Sequence, residues 1–112
     1  MSKLIFPAAP APTLAIAGSD DRIPVQRVFC VGRNYEEHAK EMGQQVERDE
    51  PFYFTKSPEA VVADGSTIPY APATSNYHYE FELAVVIGSP AFRVSKQDAL
   101  LKVYGYACAL DM

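Results

Sequence analysis

The sequence lacks several features that would point to other classes of protein. No apolar run approaches the ~20 residues that a membrane-spanning helix needs. Positive charge is not in excess: ten Lys and Arg against fourteen Asp and Glu leave a net charge of −4. Counterion release, which drives polyanion binding, has no source here, so nucleic acid is not an expected partner. The N-terminus offers one Lys and the short apolar patch Leu4-Ile5-Phe6 before its prolines, less than the ~7–15 apolar residues of a secretory signal. Two cysteines, Cys30 and Cys108, are too few for a disulfide framework. They read as reduced thiols that pack as small apolar residues. Together these absences predict a cytoplasmic protein with no membrane partner.

What is present fits one domain of 112 residues, a length too short for two. Residues 1–12 (MSKLIFPAAPAP) hold three prolines and read as a flexible arm, with residues 13–112 forming the domain. Strands are expected at Thr13 to Ala17 and Pro24 to Val31, around the polar turn Gly18-Ser19-Asp20-Asp21. A helix should follow, with Asn34 as N-cap, Glu37 completing a capping box and Gly43 ending it. Tyr35, Ala39 and Met42 fall on its buried stripe. Residues 44–50 read as a surface loop, and Phe52-Tyr53-Phe54 opens another extended segment. The stretch 63–76 is rich in turn residues. Tyr77 to Gly88 alternates cleanly, with Phe81, Leu83, Val85 and Ile87 on one side, so it belongs to a packed sheet. A helix from about Ser95 to Val103, capped by Ser95 and Asp98, leads into a second alternating segment, Tyr104 to Asp111. There Tyr104, Tyr106, Cys108 and Leu110 take one face, and Gly105, Ala107, Ala109 and Asp111 the other. The aromatics Phe52, Tyr53, Phe54, Tyr104 and Tyr106 are expected in the core. The class is mostly β with short helices (α+β).

Four groups of residues carry chemical interest. Glu80 and Glu82 are two apart on a strand and share a face, with Cα atoms roughly 7 Å apart. Like charges so placed repel, and a hard cation that prefers carboxylate oxygen relieves them. The competing reading is a wet strand face with two solvated glutamates. Asp111 ends the strand whose same-face neighbours are small, which lets a ligand or backbone approach; it is either a third oxygen donor or a terminal surface residue. His38 and Glu41 are neighbours at i and i+3 on the expected helix. A carboxylate beside an imidazole builds a general base, though the pair also fits an ordinary helix surface. His78 shares the parity of Glu80 and Glu82, and either approaches the same site, ligates the metal or is a structural histidine. Arg33 and Lys56 lie near strand ends, and each suits an anionic substrate or simple solvation.

In combination these residues resemble the fumarylacetoacetate hydrolase family. Phe29-Cys30-Val31-Gly32-Arg33-Asn34-Tyr35, His38 and Glu41-Met42-Gly43 are similar to its F-C-V-G-R-N-Y-x-x-H-x-x-E-M-G block. Phe54-Thr55-Lys56 is similar to its F-x-K segment. His78-Tyr79-Glu80-Phe81-Glu82-Leu83 with Val85-Val86-Ile87-Gly88 resembles its H-x-E-x-E-L…V-I-G strand, and Val103-Tyr104-Gly105-Tyr106 leading to Leu110-Asp111-Met112 its G-Y…D-M run. Order and spacing agree from about Val28 onward.

The resemblance implies a truncated form of the family's mixed β-roll and a metal-dependent hydrolase. It would cleave a C–C bond in acylpyruvate-type β-diketo acids such as fumarylpyruvate, with oxaloacetate decarboxylation or oxo-acid isomerisation as the sister activity. It implies Glu80, Glu82 and Asp111 as ligands of Mg²⁺ or Mn²⁺, with Ca²⁺ as a substitute in crystals. His38 and Glu41 would be a water-activating dyad, and Arg33, Lys56 and His78 substrate contacts. Two departures stand out. Ser57 follows Lys56 where the family has Pro, and the family's later Thr-Arg, lysine and Gly-Thr-Pro segments have no counterpart before Met112. The residues therefore correspond to the N-terminal half of the fold, for which a homodimer or association with the missing half is expected. A fragment without turnover is the alternative from a different class.

Overall fold

The structure, a computed structural model, describes residues 2–32 and 50–112. The chain divides into two units, residues 1–67 and 68–112. Among the described residues, strands predominate and pair as three two-stranded antiparallel ribbons. Among the same described residues, one helix, Lys96–Ala99, and two 3-10 turns, Pro58–Ala60 and Leu100–Lys102, accompany the strands.

In the first unit, β1 (Thr13–Ala15) pairs with β2 (Arg22–Pro24). The polar turn between them works as its composition predicts. Gly18 takes a positive φ of 75°, open to glycine at little cost. The Ser19 amide donates to the Ile16 carbonyl at 3.2 Å, and the Asp21 amide to Ser19 Oγ at 3.0 Å. Arg22 Nε donates to Thr13 Oγ1 at 2.6 Å, tying the two strands. The expected strand from Pro24 to Val31 is in fact two: β2 ends at Pro24, and β3 (Val28–Gly32) begins after a break. Beyond the Thr13↔Pro24 pair the Val25 amide still donates to the Pro12 carbonyl at 2.8 Å, but Pro12 has no N–H to return the bond, so the ladder goes no further. β3 pairs with β4 (Phe52–Lys56) in the register Gly32↔Phe52 to Val28↔Lys56. The Phe52 ring lies over Gly32, in space that a Cβ there would occupy.

In the second unit, β5 (Glu80–Ile87) pairs with β6 (Val103–Asp111). The expected strand from Tyr77 is regular only from Glu80. Ahead of it, the Tyr77 amide donates to Tyr70 Oη at 3.2 Å, and the two rings meet edge-on at 5.2 Å. The helix expected at 95–103 is shorter. Ser95 caps it, its Oγ accepting from the Asp98 amide at 3.1 Å, but the chain tightens to 3-10 at Leu100 and Val103 already belongs to β6.

The register of this ribbon carries one irregularity. Val86 pairs with Gly105 and Ile87 with Val103, so Tyr104 is the extra residue of a bulge. Tyr104 is exposed, as Tyr106 and Leu110 are.

The largest departure from expectation is burial. Phe52, Tyr53, Phe54, Tyr104 and Tyr106 are exposed rather than core, and so are Phe81, Leu83, Val85 and Ile87. Cys108 is exposed and Cys30 half-buried. The physical reason is architectural: two strands make a ribbon, and a ribbon buries a face only when another layer lies on it. No such layer covers these faces among the described residues, and no large side chain there is fully buried.

Candidate metal centre

β5 and β6 bring three carboxylates together. Alternation puts Glu80 and Glu82 on one side of β5, and the register sets Asp111 directly opposite Glu80 and Ala109 opposite Glu82. Asp111 is thus a direct cross-strand neighbour of one glutamate and a diagonal neighbour of the other. One carboxylate oxygen from each of the three lies within 4.8 Å of the others. Glu80 is exposed, whereas Glu82 and Asp111 are half-buried. Among the described residues, this is the group of three or more His, Cys, Asp or Glu side chains spaced to hold an ion.

The donor set fits a hard divalent cation. All three donors are oxygens and all are acidic, the chemistry that Mg²⁺, Mn²⁺ and Ca²⁺ select over softer metals. Oxygens on opposite sides of a Mg²⁺ stand about 4.2 Å apart, from a ligand distance of 2.0–2.1 Å. The observed spread therefore closes with small side-chain movements. Two like charges at such spacing repel by roughly 1 kcal/mol in water and ~3 kcal/mol at an effective dielectric of 20. A shared dication turns that repulsion into attraction. Around the trio the ribbon carries only small side chains, Ala84, Ala107 and Ala109, which leave room above the sheet. A Cβ at Gly105 would meet nothing within 4 Å.

The other candidate residues are placed as follows. His78 lies in the irregular segment ahead of β5, exposed, and is not one of the grouped donors. Lys56 is the half-buried last residue of β4, opposite Val28. Arg33, His38 and Glu41, with the expected helix and all of the 44–50 loop but its last residue, lie outside the described residues. The structure adds no further metal donor to the trio among the described residues. The bulge at Tyr104, which sets the pairing that aligns Asp111 with Glu80, had no signal in the periodicity.

A strand-rich chain with an all-carboxylate donor group on one ribbon describes a class, a β protein equipped for a hard cation. The particular family follows from comparison. Residues 27–112 match the family described as Fumarylacetoacetate (FAA) hydrolase C-terminal, and the chain belongs to it. A fumarylpyruvate hydrolase from a Ralstonia species is 53% identical over 73 residues, 63% of this chain and 38% of the relative. A mitochondrial oxaloacetate tautomerase from Caenorhabditis elegans is 42% identical over 86 residues, 77% of this chain and 40% of the relative. Among solved structures, the fumarylpyruvate hydrolase of Pseudomonas aeruginosa in complex with Mn²⁺ and pyruvate superposes with a TM-score of 0.87 at 46% identity. It covers 97% of this chain and 48% of its own. The chain thus spans about two-fifths of the length of these curated relatives and about half of the solved one.

No helix among the described residues is long and apolar enough to cross a membrane.

Proposed function

We propose that the chain provides the metal-binding part of a divalent-metal-dependent hydrolase that cleaves a carbon–carbon bond in an acylpyruvate-type β-diketo acid. Fumarylpyruvate, giving fumarate and pyruvate, is the first candidate substrate, and the cytoplasm the proposed location. The observation that carries this reading is the convergence of Glu80, Glu82 and Asp111 oxygens within 4.8 Å. The likeness to a fumarylpyruvate hydrolase solved with Mn²⁺ and pyruvate supports it.

In this reading Glu80, Glu82 and Asp111 hold Mg²⁺ or Mn²⁺. The bound cation supplies Lewis-acid chemistry, polarising the oxo-acid carbonyl and favouring negative charge on the departing fragment. His38, paired with Glu41 three positions further along the sequence, takes a proton from water. The water oxygen adds to the distal carbonyl carbon, and the bond between that carbon and the pyruvate methylene breaks. The electron pair leaves with the pyruvate fragment, whose methylene carbon takes the proton back from His38. One water is consumed, and one carboxylic acid and one oxo-acid are formed. Arg33, Lys56 and His78 steady the carboxylates of the substrate by charge and hydrogen bonding.

A second reading has its own support in the oxaloacetate tautomerase relatives, which align over a larger share of this chain. Enolisation or decarboxylation of oxaloacetate uses the same carboxylate-held cation and needs no attacking water. Parallel assays on fumarylpyruvate and oxaloacetate, with Glu41→Ala in each, separate the two. Loss on fumarylpyruvate alone supports the water-activating dyad, and equal loss on both overturns it. A Mn²⁺-dependent rise in Tm with turnover of neither substrate identifies a metal-binding fragment without catalysis.

A further inference from the structure

The approach to β5 is held without a ladder. Among the described residues, 77–79 carry no strand pairing, and the ladder with β6 starts at Glu80. Glu80 therefore stands at an end of the pairing, where strands open most readily. It is also the exposed member of the acidic trio, beside half-buried Glu82 and Asp111. Burial does not fix it, and no strand partner holds the residues just before it.

A bracket lies there instead. The Tyr77 amide donates to Tyr70 Oη at 3.2 Å, and the two rings meet at 5.2 Å with 81° between their planes, the edge-on arrangement that ring quadrupoles favour. Between them the chain turns at Ala73, whose φ of 63° is costly for a residue with a Cβ. The Asn76 amide donates to Thr74 Oγ1 at 3.0 Å, a side-chain turn of the kind threonine supplies. A strained turn persists where its surroundings over-determine it, and the closure of Tyr70 on Tyr77 does that here. Tyr70 is 60% exposed, so burial does not account for its placement. The hydrogen bond and the ring contact described for it both go to Tyr77.

We propose that Tyr70 is a positioning residue for the metal centre. By holding the Tyr77 amide it fixes the short lead-in through His78 to Glu80, and so keeps the exposed carboxylate beside Glu82 and Asp111. The lead-in is a short tether, since three residues of extended chain reach at most ~10–11 Å. The freedom of Glu80 is then set by how firmly Tyr77 is held. A donor placed in advance spares the ion the cost of ordering it. The proposal rests on the metal reading of the trio, whereas the bracket itself does not.

Two measurements on the 112-residue chain test it: Mn²⁺ affinity, from the electron paramagnetic resonance of the free ion, and hydrogen exchange at the Tyr77 amide. Tyr70→Phe removes the accepting oxygen and keeps the ring. It should speed exchange at Tyr77 at least about tenfold. It should also weaken Mn²⁺ binding roughly tenfold, the low end of what losing a partner of a metal ligand costs, with the metal-free Tm unchanged. Tyr79→Phe removes a hydroxyl next to Glu80 but outside the bracket, and should alter neither. The proposal is overturned if Tyr70→Phe binds Mn²⁺ as tightly as wild type, or if Tyr79→Phe weakens binding as much. A fall in metal-free Tm with unchanged Mn²⁺ affinity also overturns it, since that is a structural role alone. Wild-type binding that is lost in Glu82→Ala but kept in Tyr70→Phe sinks the positioning role and leaves the metal reading standing. A wild-type chain that binds no Mn²⁺ overturns both, and exchange at Tyr77 still reports the bracket.

Discussion

Glu82 and Leu83 are adjacent in the chain and face opposite sides of one ribbon, and their surroundings are reversed from what their chemistry favours. The glutamate is half-buried beside Asp111 and small alanines, while the leucine stands 61% exposed. Burying an acid costs free energy unless something compensates, and exposing leucine forgoes about 1.5–3 kcal/mol of possible burial. In the proposed function the acidic face is the one that takes a cation, while the apolar face opposite is the one that a further layer would cover. The two faces are therefore separable, and substitutions on one should spare the other.

The largest effect is expected on the acidic face. Glu82→Ala should remove the rise in Tm produced by Mn²⁺ and lower turnover of the complete enzyme by about 100-fold or more. Titrating Mn²⁺ against wild type and variant by scanning calorimetry checks the first part, and an unchanged metal response would remove the trio from the site. Next comes the bulge end. A Cβ at Gly88 would stand 2.7 Å from the Tyr104 Cβ and 3.4 Å from its Cα. Those atoms cannot swing aside, so Gly88→Ala should cost about 1–3 kcal/mol, seen as a lower urea midpoint. Gly105→Ala is the contrast on the open face. With nothing near its Cβ, it should stabilise by roughly 0.5–1 kcal/mol through the loss of glycine's chain entropy. Destabilisation there would mean that the small-residue face is already filled.

The smallest effect lies away from the ribbon. The Ser57 hydroxyl donates to Glu59, and this bond, with a backbone one, holds the Glu59 carboxyl below its ordinary 4.5. A lowered folded-state value contributes stability above pH ~4.5, lost as the pH falls through the folded value. Ser57→Ala should therefore lower Tm slightly at neutral pH. The wild-type and variant curves should converge in acid, a trend that a pH series of melts will reveal.

Much of the ribbon was legible because alternation is a strong signal. Glu80 and Glu82 share a face by the period of two alone, whereas Asp111 was legible only as an acid ending a strand of small residues, joined to the glutamates by the family resemblance; its place opposite Glu80 is set by the register. Other features obey no local pattern. The bulge at Tyr104 changes which residue faces Ile87 without altering composition. The break after Pro24 divides a run that reads as one strand, because pairing with β1 ends there. Phe52, Tyr53 and Phe54 carry every mark of a core, yet hydrophobicity reports what a residue seeks, not which layer arrives to cover it. The pairing of Ile87 with Val103 likewise depends on where the short helix gives way to β6, a boundary that propensity blurs by a residue or two.

The extra residue at Tyr104 works like a detent. Antiparallel strands are free to slide in steps of one, and each step swaps every side chain between the two sides. A misstep here would carry Asp111 away from Glu80 and lay Leu110 in its stead. The kink near the hairpin's closed end, wedged against Gly88, resists that travel. Alignment of the acids at the open end is thus indexed from the far end of the same two strands.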